Sequence, residues 1–398
     1  MSTRQLRINK AVAGSLFVLT VICLAFSSYG VSLPTVPLTL PGEVKWREAA
    51  AGYQFTFPRD HAAHPDYRVE WWYYTGNLES QSGRKFGYQL TFFRVGVMRG
   101  LVIPSRWAIR DLYMAHFAVT DVQQNSFRFF ERINRAGLGW AGADSIDEKT
   151  AKSENDGHTG LRVWNEDWEA HIGDGSQTIR ATEGNATLNL QLTPLKREVI
   201  NGENGVSRKG PLTENASHYL SLTRLETTGQ LVIDGQSLDV KGLSWMDHEF
   251  GTSFLYGDEV GWDWFSIHLD DQRDLMICRI RGRDGSIDPH SSGTLIEPDG
   301  RSIHLGFEDF KVTPGEIWQS KESGARYPIG WKIELPKYQL ELSIAAALDD
   351  QELRTAQTTG VNYWEGAILV LDSGKKVLGN GYLEMTGYAG ENMGKMFR

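Results

Sequence analysis

Apolar and polar residues alternate over short stretches of this 398-residue chain, and Gly, Asn, Asp and Ser punctuate the stretches. Phe86–Val97 (FGYQLTFFRVGV), Ala186–Leu195 (ATLNLQLTPL) and Leu275–Ser286 (LMICRIRGRDGS) carry the pattern most plainly. A period of two puts successive side chains on opposite faces of an extended backbone, so these segments predict β-strands. Between such segments, Ile233–Ser237 (IDGQS), Glu297–Arg301 (EPDGR) and Asp372–Lys376 (DSGKK) have the short, Gly-containing form of hairpin turns. Helical candidates are confined to two short windows, Ile146–Ser153 and Asp350–Gln357. The chain is predicted to be all-β, with hairpins in series that build barrels or sandwiches.

A weak internal repeat divides it. Trp71, Tyr73, Tyr74, Thr75, Leu78 and Glu79 align with Trp262, Trp264, Phe265, Ser266, Leu269 and Asp270, so each half opens on the same kind of hairpin. The halves also close alike: Val232–Asp247 and Val370–Glu384 share a turn, an aromatic residue and a terminal carboxylate. Length alone favours two cores. The expected division is a first domain over residues 50–252 and a second over 253–398.

Residues 1–27 carry Arg4, Arg7 and Lys10, then an apolar run from Ala11 to Phe26, then Ser27. This is the outline of a signal peptide, with an uncleaved anchor as the alternative, and it predicts export to the periplasm or beyond, with membrane proximity through this segment. Residues 28–49 include the Pro-rich run VSLPTVPLTLP and read as a linker. With the leader removed, Cys278 is the one cysteine left, so no internal disulfide forms and the two cores must supply the stability.

Composition is globular, with 40% hydrophobic residues and 13 Trp. The formal charge is -9 and becomes -12 without the basic leader, a surface that repels phosphate backbones and excludes nucleic acid as an expected partner. No GxSxG elbow and no Gly-rich phosphate loop occurs in the sequence, which calls for no cofactor.

Two segments concentrate candidate chemistry. In Arg59–Leu78 (RDHAAHPDYRVEWWYYTGNL), a strand places Glu70, Trp72 and Tyr74 on one face and Trp71, Tyr73 and Thr75 on the other. One carboxylate on an aromatic wall suits an apolar ligand with Glu70 as polar anchor and His64 nearby; the competing reading is core packing with Glu70 paired to an arginine such as Arg94. His61 and His64 are poorly spaced for a metal, and no metal site is expected. In Trp245–Gly251 (WMDHEFG), Trp245, Asp247 and Glu249 point one way and Met246, His248 and Phe250 the other. A carboxyl held among aromatics keeps its proton to higher pH, which is what a general acid requires. His116, His218 and Glu365 stand in apolar surroundings and read first as satisfied core groups.

The runs HPDYRVEWWYYTGNL, YMAHFAVTD, LTRLETTGQL, GLSWMDHEFGTS, GWDWFSIHLDD, YWEGAILV and GYLEMTGY resemble, in order from about Ala50 to Gly387, bacterial exported proteins of the AttH type. These are related to carotenoid 1,2-hydratases and often labelled secreted hydrolases. The resemblance implies two tandem lipocalin-like β-barrel domains, with a ligand site largely in the first or between the two. It also implies catalytic roles: Asp247 as proton donor to a double bond, and His218 and His248 as groups that tune or orient it. Trp245 and Leu220 depart from the hydratase pattern, so carotenoid hydration itself is not the expectation. On this reading the first half encloses a lipid, isoprenoid or polyene, Glu249 positions water, and Trp71, Trp72 and Trp245 stabilise a developing cation. Tyr74 and His116 complete the expected binding wall. A non-catalytic carrier, an envelope assembly protein and a secreted hydrolase are the alternatives.

Overall fold

The computed structural model describes residues 44–99, 107–145, 160–173, 175–253 and 255–390. The leader, the linker up to residue 43 and the window Ile146–Ser153 lie outside the described residues.

Long hairpins build a first sheet from β1 (Val69–Ser80), β2 (Lys85–Gly96), β3 (Asp111–Asp121), β4 (Ser126–Arg135), β5 (Ala141–Ala143), β6 (Leu161–Asn165), β7 (Trp168–Ile172), β8 (Gln177–Glu183), β9 (Ala186–Pro194), β10 (Val199–Ile200), β11 (Ser207–Arg208), β12 (Ala216–Ile233) and β13 (Gln236–Gly251). Its main order is β4-β3-β2-β1-β13-β12-β9-β8-β7-β6-β5. The two ends of this row meet through side chains. Arg132 on β4 donates to the Asn165 carbonyl on β6, and the Asn165 amide donates to the Tyr113 carbonyl on β3. The sheet is thereby a nearly closed barrel.

A second large sheet uses the later strands: β14 (Glu259–Leu269), β15 (Asp274–Gly282), β16 (Ser292–Ile296), β17 (Ser302–Leu305), β18 (Lys311–Pro314), β19 (Ile317–Gln319), β20 (Arg326–Pro328), β21 (Gly330–Leu335), β22 (Leu340–Ala346), β23 (Glu352–Thr355), β24 (Val361–Leu371) and β25 (Val377–Met385). Its order is β17-β16-β15-β14-β25-β24-β22-β21-β18, with β23 on β24 and β19 paired to β20 apart from it. The helical window at Asp350–Gln357 is corrected here. Glu352 to Thr355 pair with Val361 to Trp364, and the Glu352 carboxylate accepts from Ser320, Ser323 and Tyr327.

The turns read from sequence close these hairpins. At Ile233–Gln236 the two-residue turn is Asp234-Gly235, with φ of +51° and +79°, the left-handed region that an Asp-Gly pair tolerates. Each sheet has its own filled interior. Trp72, Tyr74, Phe117 and Trp168 are among the residues packing the first, and Phe265, Trp331 and Trp364 among those packing the second.

Outer strands such as β8 and β9 alternate buried and exposed residues. By contrast β1, β2, β3, the start of β12 and the end of β13 are buried on both faces, as is most of β14. The reason is that the two sheets pack on each other across a third apolar cluster including Tyr73, Tyr219, Trp245, Trp264 and Tyr363. Asp274 on β15 ties the sheets through Lys196 at 2.8 Å, Thr223 at 3.0 Å and Arg224 at 2.7 Å.

Candidate functional site

A cavity of about 70 Å³ opens within the layer between the two sheets. It offers room for a few waters or for one end of a longer molecule. Equivalent positions of the sequence repeat line it from both sides. Trp71 and Tyr73 come from β1, and Trp262 and Trp264 from β14. Asp247 lies opposite Tyr73 in the β1–β13 ladder, and Glu384 lies opposite Trp264 in the β14–β25 ladder. Each half therefore brings to the cavity two aromatics of its repeat and a carboxyl paired across the ladder from one of them.

Asp247 is 3% exposed and sits among donors. Its Oδ1 accepts from the Ser221 hydroxyl at 2.5 Å and the Trp245 indole at 2.7 Å, and its Oδ2 accepts from the Tyr219 hydroxyl at 2.7 Å. Trp264 donates to the same Tyr219 oxygen at 3.0 Å, which directs the phenol hydrogen towards Asp247. One lone pair of Oδ2 is left for a transferable proton. Burial disfavours the charge and outweighs the Ser221, Tyr219 and Trp245 bonds, so the carboxyl is pushed up to about 7. Glu384 keeps some accessibility, yet desolvation, opposed by the Trp262 indole at 3.0 Å and assisted by the charges of Asp247 and Glu249, also lifts it to about 7.

Glu249 is held differently. Lys209 pairs with it at 3.0 Å and Ser217 donates to it. Burial lowers the Lys209 ammonium, but the Glu249 charge more than compensates and its pKa ends above the ordinary lysine value. Cys278 also lines the cavity, its thiol pushed up to about 12 by burial and hence a poor nucleophile.

The structure divides the sequence-derived candidates by strand face. Asp247, Glu249, Trp71 and His116 line the cavity, and Trp245 packs directly behind Asp247. Glu70, His64, Trp72, Tyr74, His218 and His248 lie on the opposite side of the sheet, and the roles expected for them are corrected. Glu70 is no ligand anchor. Its carboxylate accepts from Arg94 at 2.9 Å, His64 Nδ1 at 2.8 Å, His248 Nε2 at 2.9 Å and the His64 backbone N–H. Burial alone would raise it, but the Arg94 charge and the His248 and His64 bonds hold it well below the carboxylate range.

His248 neither tunes nor orients Asp247, because a one-residue step on a strand reverses the side chain. It stacks on Trp72, and burial lowers it to about 4. His218 lies one position before Tyr219 and turns away for the same reason, with its Nδ1 2.8 Å from the Gly205 carbonyl and its ring beside Tyr53. Trp72 and Tyr74 fill the first barrel, whereas Trp71, Trp262 and Trp264 line the cavity.

His64, Glu70 and His248 offer atoms within 4.8 Å of one another, a spacing open to a metal ion. His64, however, uses its second nitrogen at 3.3 Å from Asp60, and those two carboxylates raise its pKa against the effect of burial. Within this group both imidazoles hydrogen-bond directly to the Glu70 carboxylate, and the Arg94 guanidinium, 2.9 Å from Glu70, already supplies positive charge there.

Sequence reasoning passed over Tyr219, Lys209, Glu384 and Tyr363, and read Glu365 as a satisfied core group. The repeat held a usable signal: the carboxylate that closes the second half is Glu384, at the place of Asp247.

Comparisons with known proteins agree with this architecture. A crystal structure of an AttH protein from Nitrosomonas europaea is 33% identical, superposes with a TM-score of 0.75, and the match covers 86% of this chain and 99% of that one. Kievitone hydratase from Nectria haematococca shares the fold at 15% identity, with a TM-score of 0.62 and coverage of 86% and 96%. The dehydratase asqC of Emericella nidulans is 20% identical over 256 residues, which is 61% of this chain and 66% of that relative's length. The AttH-like family pattern matches residues 48–388, and the chain belongs to the AttH-like family.

Proposed function

We propose that the protein adds water to, or removes it from, an apolar small molecule whose reacting end enters the cavity between the sheets, with Asp247 as the group that exchanges a proton with carbon. The observation that carries this reading is a wholly buried carboxyl poised near neutral pH in an aromatic cavity, so that both its protonated and ionised forms are populated at working pH. In the hydration direction Asp247 gives its proton to one carbon, water bonds to the neighbouring carbon, and the proton that water loses restores the carboxyl. Dehydration runs the same steps backwards. Trp71, Trp262 and Trp264 exclude bulk water and present ring faces to developing positive charge. Two relatives bear the names hydratase and dehydratase, which supports the same class. A hydrolase finds less support, because the cavity's one thiol is held protonated.

The test uses an apolar extract of the host, incubated with the protein in D2O and followed by mass spectrometry. Wild type is expected to place deuterium on carbon in one component. Asp247→Asn should still retain that component on a desalting column and lose at least about a hundredfold in exchange rate. Equal exchange by both proteins overturns the proton-donor role and leaves the carrier reading.

A further inference from the structure

Glu365 on β24 is 0% exposed and lines the same cavity, and neither of its carboxyl oxygens meets a hydrogen-bond partner among the described residues. A buried carboxyl left in this condition is destabilising unless something comes to it. Two hydroxyls face it, those of Tyr73 and Tyr363. The Tyr73 hydroxyl lies near enough to favour its charge, and neither hydroxyl closes into a hydrogen bond with it.

The direction of the Tyr363 hydroxyl follows from the bonds behind it. Thr358 donates its hydroxyl hydrogen to Glu131 at 2.5 Å, so towards His116 Nε2, at 2.8 Å, its oxygen acts as acceptor. His116 therefore carries its hydrogen on Nε2. Burial lowers this histidine to about 3, so it is neutral and Nδ1 is an acceptor. The Tyr363 hydroxyl, 2.6 Å from Nδ1, must donate there and can offer Glu365 only a lone pair. Among the described residues the buried Tyr73 hydroxyl closes no hydrogen bond, and it lines the cavity with Glu365.

We infer that Glu365 and Tyr73 form a subsite that hydrogen-bonds an oxygen of the substrate, and that the substrate is an apolar molecule whose reacting carbons adjoin a carbonyl or phenolic oxygen. The inference rests on the cavity being the site of reaction. Burial, reinforced by the Glu384 charge, raises the Glu365 carboxyl well above the carboxylate range, so the group presents an O–H as well as an acceptor. A neutral carboxylic acid beside a tyrosine hydroxyl in an apolar pocket is a strong holder of an oxygen that becomes negative during reaction.

With a β-hydroxy carbonyl substrate the chemistry closes. The proton on the α-carbon passes to the Asp247 carboxylate, and the C–H electron pair shifts to the carbonyl oxygen held by Glu365 and Tyr73. The pair then returns to form the carbon–carbon double bond. The β-hydroxyl departs and takes the proton back from Asp247 as water. Addition of water to the conjugated product is the reverse. The role of Asp247 alone suits a plain hydrocarbon double bond; the Glu365 subsite narrows the substrate to an oxygenated one.

Binding of 2-naphthol and of naphthalene, which lacks the oxygen, to the full chain separates the two ideas by fluorescence titration. Wild type should prefer 2-naphthol by at least about tenfold, the worth of one hydrogen bond to a buried group. Glu365→Leu removes donor and acceptor at similar volume and should abolish the preference while keeping naphthalene binding; Tyr73→Phe should reduce it. Equal binding of both probes by wild type, or an unchanged preference in Glu365→Leu, overturns the subsite and leaves the cavity reading standing. Failure of both probes to bind wild type overturns both. An infrared difference spectrum of wild type minus Glu365→Leu at pH 8 should show a protonated carboxyl band, and a carboxylate band there overturns the donor role.

Discussion

Glu70 and Asp247 sit on adjacent strands of one ladder, where Glu70 pairs with Phe250 and Asp247 with Tyr73. Both are buried carboxyls, and their surroundings drive them in opposite directions. On the barrel side Glu70 meets a guanidinium and two imidazoles, which hold its carboxyl well below the usual range, so it is ionised and structural. On the cavity side Asp247 meets two hydroxyls and an indole but no cation within bonding distance, so burial prevails and the proton stays near neutral pH. The difference teaches that aromatic surroundings alone do not make a general acid. The same strands carry Trp72 beside Glu70 and Trp245 beside Asp247, and the deciding factor is whether a full positive charge shares the site.

The sharpest way to break this contrast is to remove the charge. Arg94→Ala leaves Glu70 buried and unpaired by its guanidinium, and stability measured by urea unfolding should fall by about 3–5 kcal/mol. Asp247→Asn should have a much smaller effect on folding, and its loss should fall on deuterium exchange instead, as set out above. A comparable loss of stability in both variants would dissolve the distinction.

The pH dependence of unfolding separates the two carboxyls by sign. Asp247 and Glu384 hold protons more tightly folded than unfolded, so their contribution is complete below about pH 4 and is lost as pH rises to about 7. The slope is on the order of 1.4 kcal/mol per pH unit for a single fully titrating group, less for the partly accessible Glu384. Glu70 is depressed, so its contribution is present above about pH 4 and is lost as pH falls. Asp247→Asn should therefore gain stability relative to wild type between pH 5 and pH 8, whereas Glu70→Gln should flatten only the acid limb. A parallel pH profile for Asp247→Asn and wild type would show that the carboxyl is ionised when folded.

The smallest expected effect comes from Tyr219→Phe, which removes one donor from Asp247 at a net cost to stability of about 1 kcal/mol. With less support for the charged form, the pKa read from the pH profile of exchange should move upward. An unmoved profile with lowered exchange would instead assign Tyr219 to holding the substrate.

Much of the fold is legible without coordinates because strand chemistry is local. The alternation at Phe86–Val97, the Asp-Gly turn at Asp234-Gly235 and the two-residue reversal that sets Asp247 against His248 all follow from backbone geometry within a few residues. On both candidate strands the faces alternate as a period of two dictates. What this alternation could not supply was which face meets the barrel core and which meets the other sheet, since both faces of β1 and β13 are apolar and buried. For that reason the sequence alone sets Glu70, Trp72 and Tyr74 at a binding wall and His218 and His248 beside Asp247, whereas in the fold all five face away from the cavity.

Sequence by itself determined the all-β class, the hairpin ends, the internal repeat and the pairing of Asp247 with Glu249 on one side of a strand. Tertiary structure alone decided that the two sheets meet about a shared cavity, that Arg94 reaches Glu70 while, among the described residues, no cation pairs with Asp247, and that Glu365 closes no hydrogen bond there. The physical reason is range. Side-chain direction is a property of neighbouring peptides, whereas the protonation of a buried carboxyl depends on charges and donors brought within a few ångströms by strands far apart in the chain.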